Sequence, residues 1–484
     1  MREIITLQLG SLSNYVGTHF WNAQEEYFDY TGNNTEKTNE INHDVLYRAG
    51  ESANGVMTYT PRTLIYNLKG NFGSYQKYNK LFEPNSADIN HTWDQGMTRI
   101  DRPIPKNKYQ QELDRMDVDS EYQMDLDAIE QLESTVYNWS DFNRIYYHPR
   151  SMNAISTHQA DDVVNPFDNY TIGKDAYVEN EKEMNVFDDN FRLFAEECDY
   201  LQGFQILTDI DDAFGGFTEG LIHDIRDEFA KIPVLTYGLS DSCLHYRNDR
   251  MKQKVALNRA LSMTRLGELS SVYVPIYTPT KTSLQKSHLQ SDLVFNENSR
   301  YHTSAIIAAA IETNSLPFRL KKNAATLAES VSRLTYVRNT KLATLSVTLP
   351  LLKEKKGPLS LLDYEPSVDK EDIYSQTTIV RGSEQYGFSD PTNPLVVNYH
   401  VETMLPLPES YPRLFPSHDR QVPMMTQFES GARVKASVEH QISSIQGINL
   451  QEFHEFKLSR DDLLETKETL LTWSDMYNKD DMLE

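Results

Sequence analysis

Two glycine-bearing stretches hold the residue types best suited to chemistry, and the chemistry they suit is phosphate binding. In the first, Ile4, Ile5 and Leu7 lead through Gln8 and Gly10 to Ser11, Asn14 and Gly17. The apolar run reads as a buried strand, Gly10 permits a tight turn, and Phe20 and Trp21 anchor the following helix on a core. Free backbone N–H groups and the helix dipole meet at such a corner, which is where α/β folds hold phosphate. The second stretch, Phe214-Gly215-Gly216-Phe217-Thr218-Glu219-Gly220, reads as a glycine turn before an amphipathic helix marked by Leu221, Ile225 and Phe229. Gly10, Ser11, Asn14, Gly215, Gly216, Thr218 and Gly220 are the positions that would touch a phosphate-bearing cofactor, if one binds at all. Asp211 and Asp212, shortly before the second turn, make the field there negative unless a magnesium ion sits there.

Other chemistry is thin. His148 in YYHPRS lies among tyrosines and reads as a hydrogen-bonded core residue. The 13 histidines and the two cysteines, Cys198 and Cys243, show no metal-ligand spacing. GLSDS around Ser240 lacks the G-x-S-x-G elbow, and nothing nominates a matched histidine and acid. No catalytic residue and no metal ligand is expected.

The elements that would position these residues alternate. Strand-like runs at Leu64 to Tyr66, VLTYGLS and SVYVPIY interleave with helical runs such as VALNRALSMTRLGELS and HTSAIIAAAIET. That order predicts an α/β fold, a doubly wound and mostly parallel sheet. Residues 1–75 and 132–315 make up this first domain. Residues 76–131 read as a polar, acidic, partly flexible insertion with one helix near its end. Residues 316–457 read as a smaller α+β domain in which KASVEHQISSIQ is a strand. Residues 458–484 form a C-terminal helix that opens on a Ser459/Asp462 capping box, with Leu463, Leu470 and Trp473 on one face.

Composition narrows the function. At 484 residues, 39% of them hydrophobic and 28 of them tyrosine, the chain can bury more than one core. A net charge of −24 opposes direct binding to nucleic acid and to anionic lipid. Two cysteines argue against a disulfide framework and for a reducing compartment. The N-terminus reads as neither a secretory signal nor a presequence, and no run reaches membrane-spanning length, so a soluble chain with peripheral contacts is expected.

The opening resembles the start of a tubulin, with MREI, Gln8, Gly10, Asn14, Gly17, Phe20 and Trp21 in step. Pro61-Arg62, Leu201-Gln202-Gly203-Phe204 and Arg226-Asp227-Glu228-Phe229 also resemble tubulin segments, the last two flanking a tubulin's phosphate loop. The loop between them departs from that pattern. Phe217 places a ring where backbone should approach phosphate, and Glu219 places an anion beside it. Two like charges near contact repel by about 4 kcal/mol at an effective dielectric of about 20. Ser11 and Leu12 stand where tubulins usually carry polar nucleotide contacts. A tubulin's N-x-D-x-x-E acids fall here on Ala325 and Ala328 after Asn323, and Glu329 is turned about 100° away on a helix. The resemblance therefore implies a scaffold whose turns persist without a cofactor. GTP or GDP with magnesium is the alternative.

FGGFTEGL, the block Trp139 to Ser151 and NPFDNYTIG together resemble the Misato family of tubulin-like proteins, from Met1 to about Leu320 with the insertion at 76–131 unmatched. That resemblance implies a non-enzymatic role in mitochondrial distribution and morphology and in the inheritance of mitochondrial DNA. It implies a peripheral place on the cytosolic face of mitochondria and in the cytoplasm, and protein partners, cytoskeletal or chaperonin. Two alternatives are a GTP-binding switch with a degenerate pocket and a factor acting on tubulin assembly or chaperonin-linked folding.

Overall fold

The computed structural model describes residues 2–28, 40–51, 57–74, 104–119, 122–242, 248–287, 293–350, 358–362, 373–382, 393–415 and 419–478. All seven residues of β1 (Glu3–Leu9) are buried. Its apolar side chains alternate between two cores, Ile4 in one and Ile5, Leu7 and Leu9 in the other. A strand covered on both faces belongs in the middle of a parallel sheet. A hairpin of β2 (Tyr47–Glu51) and β3 (Met57–Pro61) leads to the remaining strands of that sheet. They are β4 (Thr63–Lys69), β5 (Met152–Gln159), β6 (Leu201–Asp209), β7 (Val234–Ser240) and β8 (Val272–Tyr277). All are parallel, in the order β5-β4-β1-β6-β7-β8. The order reverses between β1 and β6, which opens a crevice at their carboxyl ends.

Helix α1 (Ser11–Glu25) covers one face. Two short helices, α2 (Lys108–Val118) and α3 (Leu126–Thr135), stand near its end and anchor through buried Tyr109 and Leu132. The polar stretch 76–131 was expected to hold one helix near its end; the structure places two at its carboxyl side, and 76–103 lies outside the described residues. The opposite face is covered by α4 (Tyr170–Met184), the single turn α5 (Arg192–Glu196), α6 (Phe214–Glu228) and α7 (Asp249–Leu269). After the short α8 (Lys281–Lys286), α9 (Arg300–Asn314) returns to the first face.

Every residue of α9 from Tyr301 to Asn314 is buried. A helix without a wet face needs cover on all sides, and a second sheet supplies it. Beyond α10 (Leu316–Arg319) and α11 (Leu327–Leu334) come β9 (Thr344–Thr348), β10 (Leu359–Ser360), β11 (Ile373–Arg381) and β12 (Val396–Val401). A small pair, β13 (Leu405–Pro406) with β14 (Gln421–Val422), precedes β15 (Met424–Gly431). The five-stranded order is β10-β9-β15-β11-β12, antiparallel apart from β11 with β12. Leu345, Val347, Met424 and Phe428 join the core that holds Ala305 to Ile311.

An ionic knot joins the two sheets. Glu312 of α9 pairs with Arg319 at 2.8 Å and with Arg381 at the end of β11, and all three are fully buried. Gln24 and the Tyr27 hydroxyl also donate to Glu312, at 3.1 and 2.8 Å.

KASVEHQISSIQ, expected as a strand, forms most of α12 (Ala432–Ile445). Val434, Val438, Gln441 and Ile445 are buried at three- and four-residue spacing, and packing on α7 and α13 decides over local β-propensity. The last helix, α13 (Arg460–Met476), has the expected capping box and buries Leu463 and Leu470.

Candidate functional site

The crevice between β1 and β6 is the one position where this sheet order would place a phosphate, and a side chain of the chain itself occupies its donors. Asp209 ends β6, and its carboxylate accepts the backbone N–H of Leu12 at 2.9 Å and of Ser13 at 2.8 Å. The Ser13 hydroxyl donates to it at 2.6 Å. These amides belong to the first turn of α1, where orphan donors and the positive end of the dipole await an anion. Gly10 makes the approach possible. Its φ is +109°, and a Cβ there would lie 2.4 Å from Cγ of Asp209. Burial pushes the Asp209 carboxyl up to about 6 against the hydrogen bonds from Ser13 and Leu12.

A cleft of about 770 Å³ opens beside this contact. Ser11, Asp161, Asp162, Asp209 and Asp212 line it, and among its described lining residues Arg300 is the one cation. Arg300 is already held by Asp241 at 3.2 Å. Asp212 caps α6 by accepting the N–H of Phe214 at 2.9 Å, and burial and the nearby Asp209 push its carboxyl well up. Asp211 turns to Arg259 at 2.7 Å, to the Ser240 hydroxyl and to the N–H of Asp241, and does not line the cleft. The two aspartates considered as a magnesium pair therefore serve different partners. Among the described residues no group of three or more histidine, cysteine, aspartate and glutamate side chains could hold a metal ion.

The second glycine stretch is not a turn. The β6–α6 corner is only Ile210-Asp211-Asp212-Ala213, and the helix begins at Phe214. Gly215, Gly216, Thr218 and Gly220 lie in its first two turns, and none of them lines the cleft. The glycines let helices touch. A Cβ on Gly216 would sit 1.9 Å from the carbonyl oxygen of Tyr170 in α4, one on Gly220 2.3 Å from the Tyr177 ring, and one on Gly215 2.1 Å from Ser262 in α7. The Thr218 hydroxyl bonds that of Thr208 at 2.7 Å. Phe217 is fully buried between Tyr66 and Tyr177. Glu219 accepts from the Tyr170 hydroxyl at 2.9 Å and pairs with Lys174 at 3.0 Å. The clash and repulsion expected of Phe217 and Glu219 toward a phosphate do not arise, because both residues point at α4.

Of the seven candidate positions, the structure brings Gly10 and Ser11 to the crevice. Asn14 is buried behind it, its side-chain amide 3.4 Å from the carbonyl of Tyr66. Asp209 went unnoticed in the sequence. The pair Asp211-Asp212 ahead of an amphipathic helix was a readable capping signal. Glu329 is likewise a cap: it closes a capping box with Thr326 at the start of α11. His148 accepts the N–H of Arg150 at 3.2 Å, and burial with nearby Arg48 and Arg150 lowers its ring to about 4. Cys198 is half-buried, which pushes its thiol up to about 12; Cys243 lies outside the described residues.

These residues do not fit a nucleotide's phosphates. The Leu12 and Ser13 amides of α1 are taken, the cleft wall is acidic, and the one cation among its described lining residues is engaged.

The sheet order, the buried connecting helix and the second sheet together define a tubulin-like protein. Residues 129–320 match a family described as tubulin domain, and residues 2–115 match the Misato segment II tubulin-like domain. The chain belongs to the Misato family. Protein DML1 of Gibberella zeae is 39% identical over 334 residues, which cover 68% of this chain and 63% of that protein. Protein DML1 of Phaeosphaeria nodorum is 40% identical over 330 residues, 66% of this chain and 59% of that one. Protein misato homolog 1 of Homo sapiens is 26% identical over 425 residues, 79% and 73% of the two chains. The matched stretch thus spans less than two thirds of either fungal relative. No helix among the described residues is long and apolar enough to cross a membrane.

Proposed function

We propose that this chain is a non-enzymatic, tubulin-like scaffold that works through its surfaces in the distribution and inheritance of mitochondria and their DNA. Under this reading it acts at the cytosolic face of mitochondria, through protein partners. The observation that carries the non-enzymatic part is the Asp209 carboxylate on the Leu12 and Ser13 amides. A carboxylate already seated on these two amides competes with a phosphate for the same donors. Membership of the Misato family supports the mitochondrial part.

Two experiments test it. GTP with magnesium, added to the purified chain, is expected to leave thermal unfolding unchanged; a saturable rise would establish the nucleotide-switch alternative instead. Complete depletion in cells is expected to fragment or cluster mitochondria and to impair transmission of their DNA. Normal mitochondrial shape and normal DNA transmission would overturn the mitochondrial role.

A further inference from the structure

The outer side of α13 carries a pattern that the fold does not use. Arg460, Leu464, Lys467 and Leu471 recur at i, i+4, i+7 and i+11, which places them along one helical stripe. Leu464 and Leu471 are 45% and 51% exposed, while Leu463 and Leu470 beside them are buried in the core. The amino-terminal half of this stripe borders a groove of about 710 Å³. Ile448, Leu450, Leu458 and Leu463 give the groove an apolar lining, and His454, Lys457, Arg460 and Lys467 give it a cationic edge.

The groove's charge is the reverse of the chain's. The whole chain carries −24, yet no carboxylate lines this groove among the described residues. Of the acids nearby, Glu465 pairs with Arg265 at 3.4 Å, Glu455 with Arg250 at 3.2 Å, and Asp462 caps α13, while exposed Asp461 and Glu468 stand about 100° round the helix from Arg460 and Lys467, outside the groove lining. Lys457 pairs with Asp175 at 2.7 Å, but Arg460 and Lys467 have no ion-pair partner among the described residues. In so acidic a protein, two unpaired cations flanking exposed leucines call for an acidic counterpart.

We propose that this groove and the α13 stripe bind an amphipathic helix of a partner protein that carries carboxylates about seven residues apart. Arg460 and Lys467 are separated by about 10.5 Å along the helix at about 1.5 Å per residue, so a second helix lying alongside meets both with acids at the same spacing. Apolar residues between those acids fill the space over Leu464 and against Leu450 and Leu458. A lipid surface is disfavoured as the occupant by the charge of the whole chain.

The test uses the full chain with a photo-crosslinking amino acid at Leu464, expressed in cells and irradiated, with adducts mapped by mass spectrometry. The expected product is a single protein adduct on a peptide of helical apolar period with Asp or Glu seven apart. The double variant Arg460→Glu and Lys467→Glu is expected to cut its yield by about tenfold or more, a loss of about 1.4 kcal/mol in affinity. Arg460 is exposed and Lys467 half-buried, so the variant's melting temperature is compared with the parent's; a second probe at Leu471 repeats the reading without touching either cation. No adduct, an adduct to phospholipid or to a second copy of this chain, an adduct peptide lacking acids, or a yield indifferent to charge reversal would each overturn the proposal.

Discussion

Asp209 shows how a single side chain can occupy a binding site. It accepts from two backbone amides and one hydroxyl at 2.6–2.9 Å. Replacing it by alanine leaves those amides facing the acidic cleft without an acceptor. The expected cost in urea unfolding is about 1–3 kcal/mol, and millimolar phosphate or sulfate should recover part of it in Asp209→Ala but not in the parent. Gly10→Ala should cost more than the Ala exchange at Asp209, because the added Cβ meets the carboxylate at a φ that L-residues avoid.

Two buried carboxyls give opposite responses to pH. Burial raises Asp209 to about 6, above its unfolded value, so its contribution to stability is present in acid and is lost as pH rises through about 6. Burial also pushes Glu312 upward, but Arg381 and Arg319 outweigh it and hold the group down to about 2. Its contribution is present above the unfolded value of about 4.5 and is lost as pH falls from there through about 2. Urea titrations should therefore show stability in the parent holding or rising from pH 7 to 5 and falling below about 4.5. Asp209→Ala should weaken the first part of that profile, to which Asp212 contributes with the same sign, and leave the second.

At the scale of elements, α6 is where sequence and structure part. The strand, turn and helix of the first 25 residues were legible because Ile4, Ile5, Leu7 and Leu9 make a short apolar run and Gly10 stands at its end. The run FGGFTEG looked like a turn because glycine serves two purposes that a sequence alone does not separate: backbone freedom and close approach. Here Gly215, Gly216 and Gly220 have helical neighbours within 2.3 Å of any added Cβ, so approach is the purpose. Asp209 was illegible for a related reason. Its role depends on the β1–β6 register, which pairs Leu9 with Thr208 and so sets Asp209 over Gly10. The segment of α12 reads as a strand because Val438, Ile442 and Ile445 are β-branched, while its buried positions follow a helical period. Gly216→Ala should drive α4 from α6 and cost at least about 1–3 kcal/mol. Phe217→Ala should cost about 3–5 kcal/mol by opening a cavity between Tyr66 and Tyr177. If these residues instead lined a phosphate loop, both changes would leave stability nearly untouched.

At the scale of the whole molecule, α9 and the Glu312 knot make one body of two sheets. Arg381 reaches from β11 to Glu312, to the Tyr27 hydroxyl and to the carbonyl of Met404. Arg381→Met leaves a buried carboxylate short of one cation, and the expected loss is about 3–5 kcal/mol. That loss should fall on the first unfolding transition if the second sheet separates before the first melts. The same body keeps the tubulin-like order of elements while Asp209 occupies two amides of the crevice, which is what supports the proposed scaffold role. The most direct measurement is the guanine nucleotide content of the native protein, purified without added nucleotide, extracted with acid and assayed against protein concentration. The expected result is none above background. One GTP or GDP released per chain would contradict a crevice closed by Asp209.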